Sequence, residues 1–292
     1  MSRFTLPLQK LNKEDILLAG GKGANLGELI KIGVPVPPGF VILVSAFEKF
    51  LEETDINVKI DSRWRKINVE DIESVEESSE ILRDLIVKAR IPEEINKEIL
   101  ESFKKLKTKY VAVRSSATAE DSKINSWAGE LESYLNTTKE NLIKNVKKCW
   151  ASLFSPRAIF YRARRNLGDK KISIGAVIQK MVQSKVSGVC FTVHPVTEDK
   201  NQIVIEAIQG LGEALVQGKV TPDSYVIEKD NLKILDINIP PKEKQKLSEK
   251  QIKELVKLCM KIENHYKNPQ DIEWARKSNK FYILQTRPIT VL

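Results

Sequence analysis

The sequence predicts an α+β fold of two lobes, helix-rich over residues 1–170 and sheet-rich over residues 171–292. Three observations predict it. Through most of the first lobe, apolar residues recur three and four positions apart, the spacing of a helix face. From residue 172 that period gives way to short Val- and Ile-rich runs split by turn residues, as strands require. Residues 271–275 and 281–286 then read as two strands about Ser278-Asn279, a closing hairpin. At 292 residues the chain is long enough for two such lobes.

The elements follow in order. Leu26, Leu29 and Ile30 line one face of a helix over residues 22–32, and Gly33 is its stop. The Pro-rich run Val34-Pro35-Val36-Pro37-Pro38-Gly39 excludes helix and leads into a strand over 40–44. Ser45 and Glu48 form a capping-box pair for a short helix. Residues 54–77 are polar and weakly patterned, which predicts an irregular connection. Helices over 80–89 and 92–107 follow, the second opened by Pro92 and striped by Ile95, Ile99, Phe103 and Leu106. Residues 110–114 read as a strand that runs into the polar stretch 115–122. Leu142, Ile143, Val146, Trp150 and Leu153 line a helix over 139–154, and another runs from Pro156 to Gly168. Strands are predicted over 172–182, 186–193, 202–208 and 224–228. A helix opens at Ser248 with Gln251 as its capping partner and buries Ile252, Leu255, Cys259 and Ile262.

Composition narrows the function classes. The chain is 41% hydrophobic and 30% charged, an ordinary globular profile. No apolar run approaches the roughly 20 residues of a membrane helix, and the start lacks a secretory pattern, so a cytoplasmic protein is expected. Cys149, Cys190 and Cys259 are far apart and lie in apolar stretches, which points to buried thiols rather than a disulfide framework or zinc site. The net charge of +9 comes from lysines scattered among glutamates, with no aromatic-basic motif, so nucleic-acid binding is not expected.

Four segments carry chemistry. In a hairpin with a three-residue loop centred on Asn279, Glu273 faces Gln285 and Asp271 faces Arg287, with all four side chains on one face. Glu273 and Gln285 offer hard oxygen donors suited to Mg²⁺, and Arg287 offers a fixed cation for a phosphate oxygen. Gly20-Gly21-Lys22-Gly23 is a glycine-rich helix start, where N–H groups and a lysine can meet phosphates, although it is not a Walker A spacing. Gly210-Leu211-Gly212-Glu213 follows an apolar strand as a glycine loop. Arg114 ends a strand beside Ser115 and Ser116, where it could clamp an anion. Taken singly, each segment also fits a plainer role: a solvated ion pair, a tight turn or a loop cap.

Together these segments resemble a known family. Residues 19–28 (Ala-Gly-Gly-Lys-Gly-Ala-Asn-Leu-Gly-Glu), 33–40 (Gly-Val-Pro-Val-Pro-Pro-Gly-Phe) and 111–121 (Val-Ala-Val-Arg-Ser-Ser-Ala-Thr-Ala-Glu-Asp) are similar to the ATP-binding domain of phosphoenolpyruvate synthase. Pyruvate phosphate dikinase and rifampicin phosphotransferase share that domain. Residues 149–154, Gln179-Lys180-Met181-Val182, Gly210-Leu211-Gly212-Glu213, Asp271-Ile272-Glu273-Trp274-Ala275 and Gln285-Thr286-Arg287-Pro288 extend the resemblance, in order, to the C-terminus.

The resemblance implies an ATP-grasp-like, two-lobed nucleotide-binding fold with ATP and Mg²⁺ as its ligands. It assigns Lys22 and Arg114 to phosphates, Glu273 and Gln285 to the metal, and Arg287 to the transferred phosphoryl region, with Asp271 orienting it. Lys22, Arg114 and Arg287 are thereby the catalytic cations. Gln179, Met181 and Val182 match the adenine-lining segment, Ser133 falls where a phosphate-touching threonine is usual, and Glu213 joins the nucleotide-binding set. The implied reaction is ATP plus pyruvate and water giving phosphoenolpyruvate, AMP and phosphate. Catalysis would rest on charge neutralisation and alignment of the phosphates.

Two departures stand out. Glu130 and Leu131 occupy positions that are polar and uncharged in the family. His194 and His265 lack the context of a phosphate-accepting histidine and are expected to be structural. A separate chain carrying the phosphohistidine and pyruvate-binding domains is therefore the expected partner. The alternatives are a non-catalytic ATP-binding regulatory module and the ATP-binding part of a rifampicin-phosphotransferase-like enzyme.

Overall fold

The structure is a computed structural model that describes residues 4–118, 132–164 and 173–289. The chain forms two compact units: Met1–Gly27 with Pro38–Met181, and Glu28–Pro37 with Val182–Leu292. The expected lobe boundary at 170/171, the helix stop at Gly168 and the departures at Glu130 and Leu131 lie outside the described residues.

The first unit is built on a five-stranded antiparallel sheet. Its strands are β1 (Thr5–Pro7), β2 (Gly39–Ile42), β3 (Val111–Ala117), β4 (Ser133–Thr137) and β5 (Ile174–Lys180), in the order β1-β2-β5-β3-β4. Strand alternation divides this sheet chemically. Phe40, Ile42, Val111, Val113, Ala176 and Ile178 point into a core completed by the helices. The opposite face carries Gly39, Val41, Ala112, Arg114, Ser116, Val177 and Gln179, which the register sets side by side.

The helices are α1 (Ile16–Lys31), α2 (Val44–Glu53), α3 (Ile56–Trp64), α4 (Ile72–Lys88), α5 (Glu93–Lys105), α6 (Lys139–Ala151) and α7 (Pro156–Arg164). Trp150 of α6 is fully buried, with ring centroids 5.5 Å from Phe47 and 5.1 Å from Phe50. Trp150→Ala is therefore expected to cost about 3–5 kcal/mol of stability, read by urea denaturation. A loss under about 1 kcal/mol would remove Trp150 from the centre of this core.

Three sequence expectations need correction in this unit. Residues 54–77 are not an irregular connection: α3 occupies 56–64 and α4 starts at Ile72, two turns earlier than expected. The buried face of α4 is Val75, Ser78, Ser79, Leu82 and Ile86. Serines hold two of its core positions, which hid the helical period from a hydrophobicity pattern. Ser78 accepts a 3.0 Å hydrogen bond from Arg63 Nε, so its hydroxyl is matched within the packing. The capping box at Ser45 does not open α2, whose N-cap is Leu43, placing Ser45 inside the first turn. Strands β1 and β4 went unpredicted, being short pieces at the two edges of the sheet.

The helix stop at Gly33 is present. Its φ is +73°, and Val34 N–H to Leu29 O (2.9 Å) with Gly33 N–H to Ile30 O (2.9 Å) closes a Schellman motif.

The second unit carries a six-stranded antiparallel sheet. Its strands are β6 (Val186–Phe191), β7 (Gln202–Gln209), β8 (Asp223–Glu228), β9 (Ile234–Asn238), β10 (Gln270–Lys277) and β11 (Lys280–Pro288). They run in the order β11-β10-β6-β7-β8-β9. A short helix α8 (Glu213–Val216) follows β7, and α9 (Glu249–Tyr266) precedes β10.

Cys190, Ile203, Ile205, Tyr225, Ile272, Trp274 and Ile283 are fully buried. They share one face of the sheet, against which α9 sets Ile252, Leu255, Cys259 and Ile262. The Cys190 and Cys259 thiols meet here, and burial followed by that contact pushes the Cys190 thiol well up. All three cysteines are free and buried, as expected. The capping box at Ser248 is present, with Ser248 N–H donating to Gln251 Oε1 at 3.0 Å. Strand β9, exposed along most of its length, was not expected.

Candidate functional site

In the first unit the arrangement begins with a break in α1. Gly20 takes φ +73° and ψ 169°, a conformation closed to other residues, so the helix restarts with Gly21-Lys22-Gly23 in its first turn. Ser116 of β3 stitches this break. Its hydroxyl accepts from Gly23 N–H at 3.1 Å and donates to Ala19 O at 2.8 Å. A restarted helix exposes N–H groups and positive partial charge at the point where Lys22 stands. Lys22 itself is largely buried.

Arg114 lies two residues before Ser116 on the same strand face, and its register partner on β4 is Ser133. The structure thus brings three of the expected phosphate-binding residues to one end of this face. Glu132, next to Ser133, is held firmly. Its carbonyl accepts from Ser115 N–H (3.2 Å) and Ser115 Oγ (3.0 Å), and its carboxylate pairs with Arg83 (2.6 Å) and the Tyr134 hydroxyl.

Gln179 lies on the same sheet face, between Gly39 and Ala112 in the register. It is 2% exposed, and its Nε2 has no hydrogen-bond partner among the described residues. A buried amide left unmatched is costly and rare in native structures. Beside it, Gly39 has no room for a side chain: a Cβ there would stand 2.5 Å from Ile178 O. Met181 N–H donates to Tyr110 O at 3.1 Å, tying down the chain just past β5.

In the second unit the closing hairpin has the expected pairing by a different route. The turn is a two-residue Ser278-Asn279 loop with φ +48° and +61°, the left-handed geometry of a type I′ hairpin. It sets Lys277 opposite Lys280. A bulge opposite Glu273/Trp274 absorbs one extra residue of β11 and restores Glu273↔Gln285 and Asp271↔Arg287. The four side chains therefore share one face, away from α9.

Arg287 grips a single oxygen of Asp271, with Nε at 2.8 Å and Nη2 at 2.6 Å from Oδ2. Burial pushes the Asp271 carboxyl up and neighbouring Glu273 adds to this, while Arg287 opposes it. Glu273 and Gln285, directly opposed, have Cβ atoms about 5 Å apart. A carboxylate and an amide oxygen at that spacing are hard donors of the kind that could hold a divalent cation. Val182 is buried just beyond Met181, and Glu213 is exposed in the first turn of α8, accepting from Gln217 Nε2 at 3.2 Å.

Both histidines are held by neighbouring groups. His194 Nδ1 accepts from Val196 N–H (3.2 Å) and Thr197 N–H (3.1 Å), and His265 Nε2 lies 2.7 Å from Glu28 Oε1. Sequence reasoning did not single out two residues of these faces, Ser116 as the stitch of the helix break and Glu206 of β7. Glu206 could have been noticed as a lone acid in the apolar run Ile203-Val204-Ile205-Glu206-Ala207-Ile208. Burial and the charge of Asp271 both push its carboxyl up. Among the described residues, no helix is long and apolar enough to cross a membrane.

Comparison with known proteins bears on what these faces serve. Residues 16–292 match the family described as "Pyruvate phosphate dikinase, AMP/ATP-binding domain". A protein of Archaeoglobus fulgidus named "Probable phosphoenolpyruvate synthase" is 46% identical, over 98% of this chain and 41% of its own length. One of the same name from Methanocaldococcus jannaschii is 42% identical, over 99% of this chain and 27% of its own. The chain thus spans less than half the length of these relatives. A solved D-alanine–D-alanine ligase of Helicobacter pylori covers 73% of the chain and 53% of its own at 11% identity and a TM-score of 0.35, too slight a likeness to argue from. Matched from Ile16 to Leu292 and more than 40% identical to two relatives along nearly its whole length, this chain belongs to the pyruvate phosphate dikinase AMP/ATP-binding domain family.

Proposed function

We propose that the chain binds Mg·ATP, in an ATP-grasp-like manner, and serves the nucleotide step of a phosphoenolpyruvate-synthase-like phosphotransferase. The first unit supplies Lys22, Arg114 and Ser133 for phosphates and Gln179, with Met181, for adenine. The second supplies Val182, Glu213, Asp271 and Arg287 for the nucleotide and Glu273 with Gln285 for the metal. When bound, Mg²⁺ would neutralise phosphate charge and hold the phosphates in line. The residues of the chain orient the nucleotide and offset the negative charge that spreads during transfer. The acceptor would be a histidine on a partner chain that also carries the pyruvate site, giving phosphoenolpyruvate, AMP and phosphate overall.

The observation that carries this reading is Gln179. Its amide nitrogen is buried and unmatched among the described residues, on the sheet face that also bears Arg114. An adenine edge, with both donor and acceptor atoms, would satisfy it. Gln179→Leu is therefore expected to weaken ATP binding about 10- to 100-fold while leaving the stability of the free protein unchanged or raised. Calorimetric titration and denaturation of the same variant check both halves, and unchanged ATP affinity would defeat the adenine assignment. The wider reaction is tested by incubating the chain with Mg·ATP and pyruvate, with and without candidate partner chains, and assaying AMP and phosphoenolpyruvate. Product formed by the isolated chain would overturn the need for a partner. Nucleotide binding without transfer under every combination would favour a regulatory module.

A further inference from the structure

Glu206 sits where its charge has no evident structural use. On β7 it pairs with Val189 of β6, and Val189 pairs with Glu273 of β10, which pairs with Gln285 of β11. Cross-strand partners in antiparallel sheets share a face, so Gln285, Glu273, Val189 and Glu206 form one row. Two strand spacings, about 10 Å of backbone, separate Glu206 from Glu273. Val189 between them is short, which leaves both glutamates room to lean toward a common point.

Glu206 is half-buried, and the charged neighbour acting on it is Asp271, a like charge. Among the described residues its side chain makes no ion pair or hydrogen bond. Arg287, the guanidinium beside Asp271, is already engaged by that residue. A carboxylate placed among apolar strand residues and facing another carboxylate is unfavourable unless a cation arrives.

A second observation points to the same place. Gln285, 9% exposed and in the same row, makes no side-chain hydrogen bond among the described residues. A Cβ on Gly188 would come within 1.8 Å of Glu206 O and 3.0 Å of the Trp274 ring, so β6 and β7 approach closely at this residue.

We infer that Glu206 is a further cation-positioning residue of this face, acting on the magnesium of Mg·ATP through a metal-bound water. The inference rests on the Mg·ATP reading above. An outer place fits the geometry: among the described residues no three carboxylates, imidazoles or thiols close on one metal-sized point. Mg²⁺ usually keeps several of its waters, and those waters need acceptors. Glu206 would supply one from the far end of the row that Gln285 begins, and its charge would raise the preference of the face for a divalent ion.

The test is calorimetric titration of the full chain with ATP over a series of Mg²⁺ concentrations, and with AMP in EDTA, for the native protein, Glu206→Gln and Glu206→Asp. Glu206→Gln keeps the size of the side chain and removes its charge. Its Mg²⁺ requirement for ATP binding is expected to rise about 10-fold, the usual cost of losing an outer-shell partner, with AMP affinity unchanged. Glu206→Asp should restore most of the native Mg²⁺ dependence. An unaltered Mg²⁺ dependence in Glu206→Gln overturns the inference and leaves the Mg·ATP reading standing, as does an equal loss of AMP and Mg·ATP affinity, which would mark a packing role. Absence of ATP binding by the native chain at every Mg²⁺ concentration overturns both.

Discussion

Gly20→Ala is expected to lower the stability of the protein by at least about 3 kcal/mol and to remove nucleotide binding with it. Two independent costs act at this position. The backbone has φ +73° and ψ 169°, a region essentially reserved for glycine. An added Cβ would also stand 2.0 Å from Ser116 O and 2.4 Å from Ser116 Oγ. The first contact is with backbone in the middle of a sheet, so relief must come from moving the start of the second α1 segment. That movement would break the Ser116 hydroxyl bonds to Ala19 and Gly23 and displace Lys22. Gly218 is the control. It too has positive φ, +65°, but a Cβ there meets nothing within 4 Å, so Gly218→Ala should cost only about 1 kcal/mol. Urea denaturation of both variants sets the crowded glycine against one in open space. Equal losses in the two would show that the close approach of Gly20 to Ser116 is unimportant.

Glu273→Gln is the second large effect, an expected loss of about 100-fold in Mg·ATP affinity, or roughly 2.7 kcal/mol. The substitution keeps the shape of the side chain and one oxygen donor, and it removes the charge proposed to face the metal. The loss should be confined to metal-dependent binding, with AMP in EDTA held as tightly as before. Lys22→Met should weaken ATP by a comparable factor and AMP much less, because its charge is assigned to the distal phosphates. Native-like Mg·ATP affinity in both variants would sink the proposed function.

Several of the helices are legible in the amino-acid sequence. The buried faces of α5, α6 and α9 follow from apolar spacing alone, because apolar residues occupy the core positions in each. α4 shows why that signal fails elsewhere. Ser78 and Ser79 occupy core positions, with the Ser78 hydroxyl accepting from Arg63, so the pattern reads as polar connection although the segment is a helix with a buried face. β9 escapes the pattern for the opposite reason. It is an edge strand with Leu235 and Ile237 exposed, and nothing in its composition separates an exposed strand from a loop.

The hairpin is the most instructive case. Its expected partners are correct although the expected loop is not, since the extra residue sits in a bulge beside Glu273 rather than in the turn. Pairing sums count residues and cannot tell a longer turn from a bulge. The two differ only in which residues beyond the bulge share a face.

The sequence by itself determined the membership of this chain, because short motifs in a constant order record which backbone and side-chain chemistry a ligand meets. It also determined the apolar faces of α5, α6 and α9 and the stop of α1 at Gly33. Tertiary structure alone decided that Ser116 closes the gap in α1, that Gln179 lies buried without a partner among the described residues, and that Glu206 stands in line with Glu273. Each of these depends on the register between strands distant in the chain. Register is set by the sum of many packing contacts over a whole sheet, and no local stretch of residues encodes it.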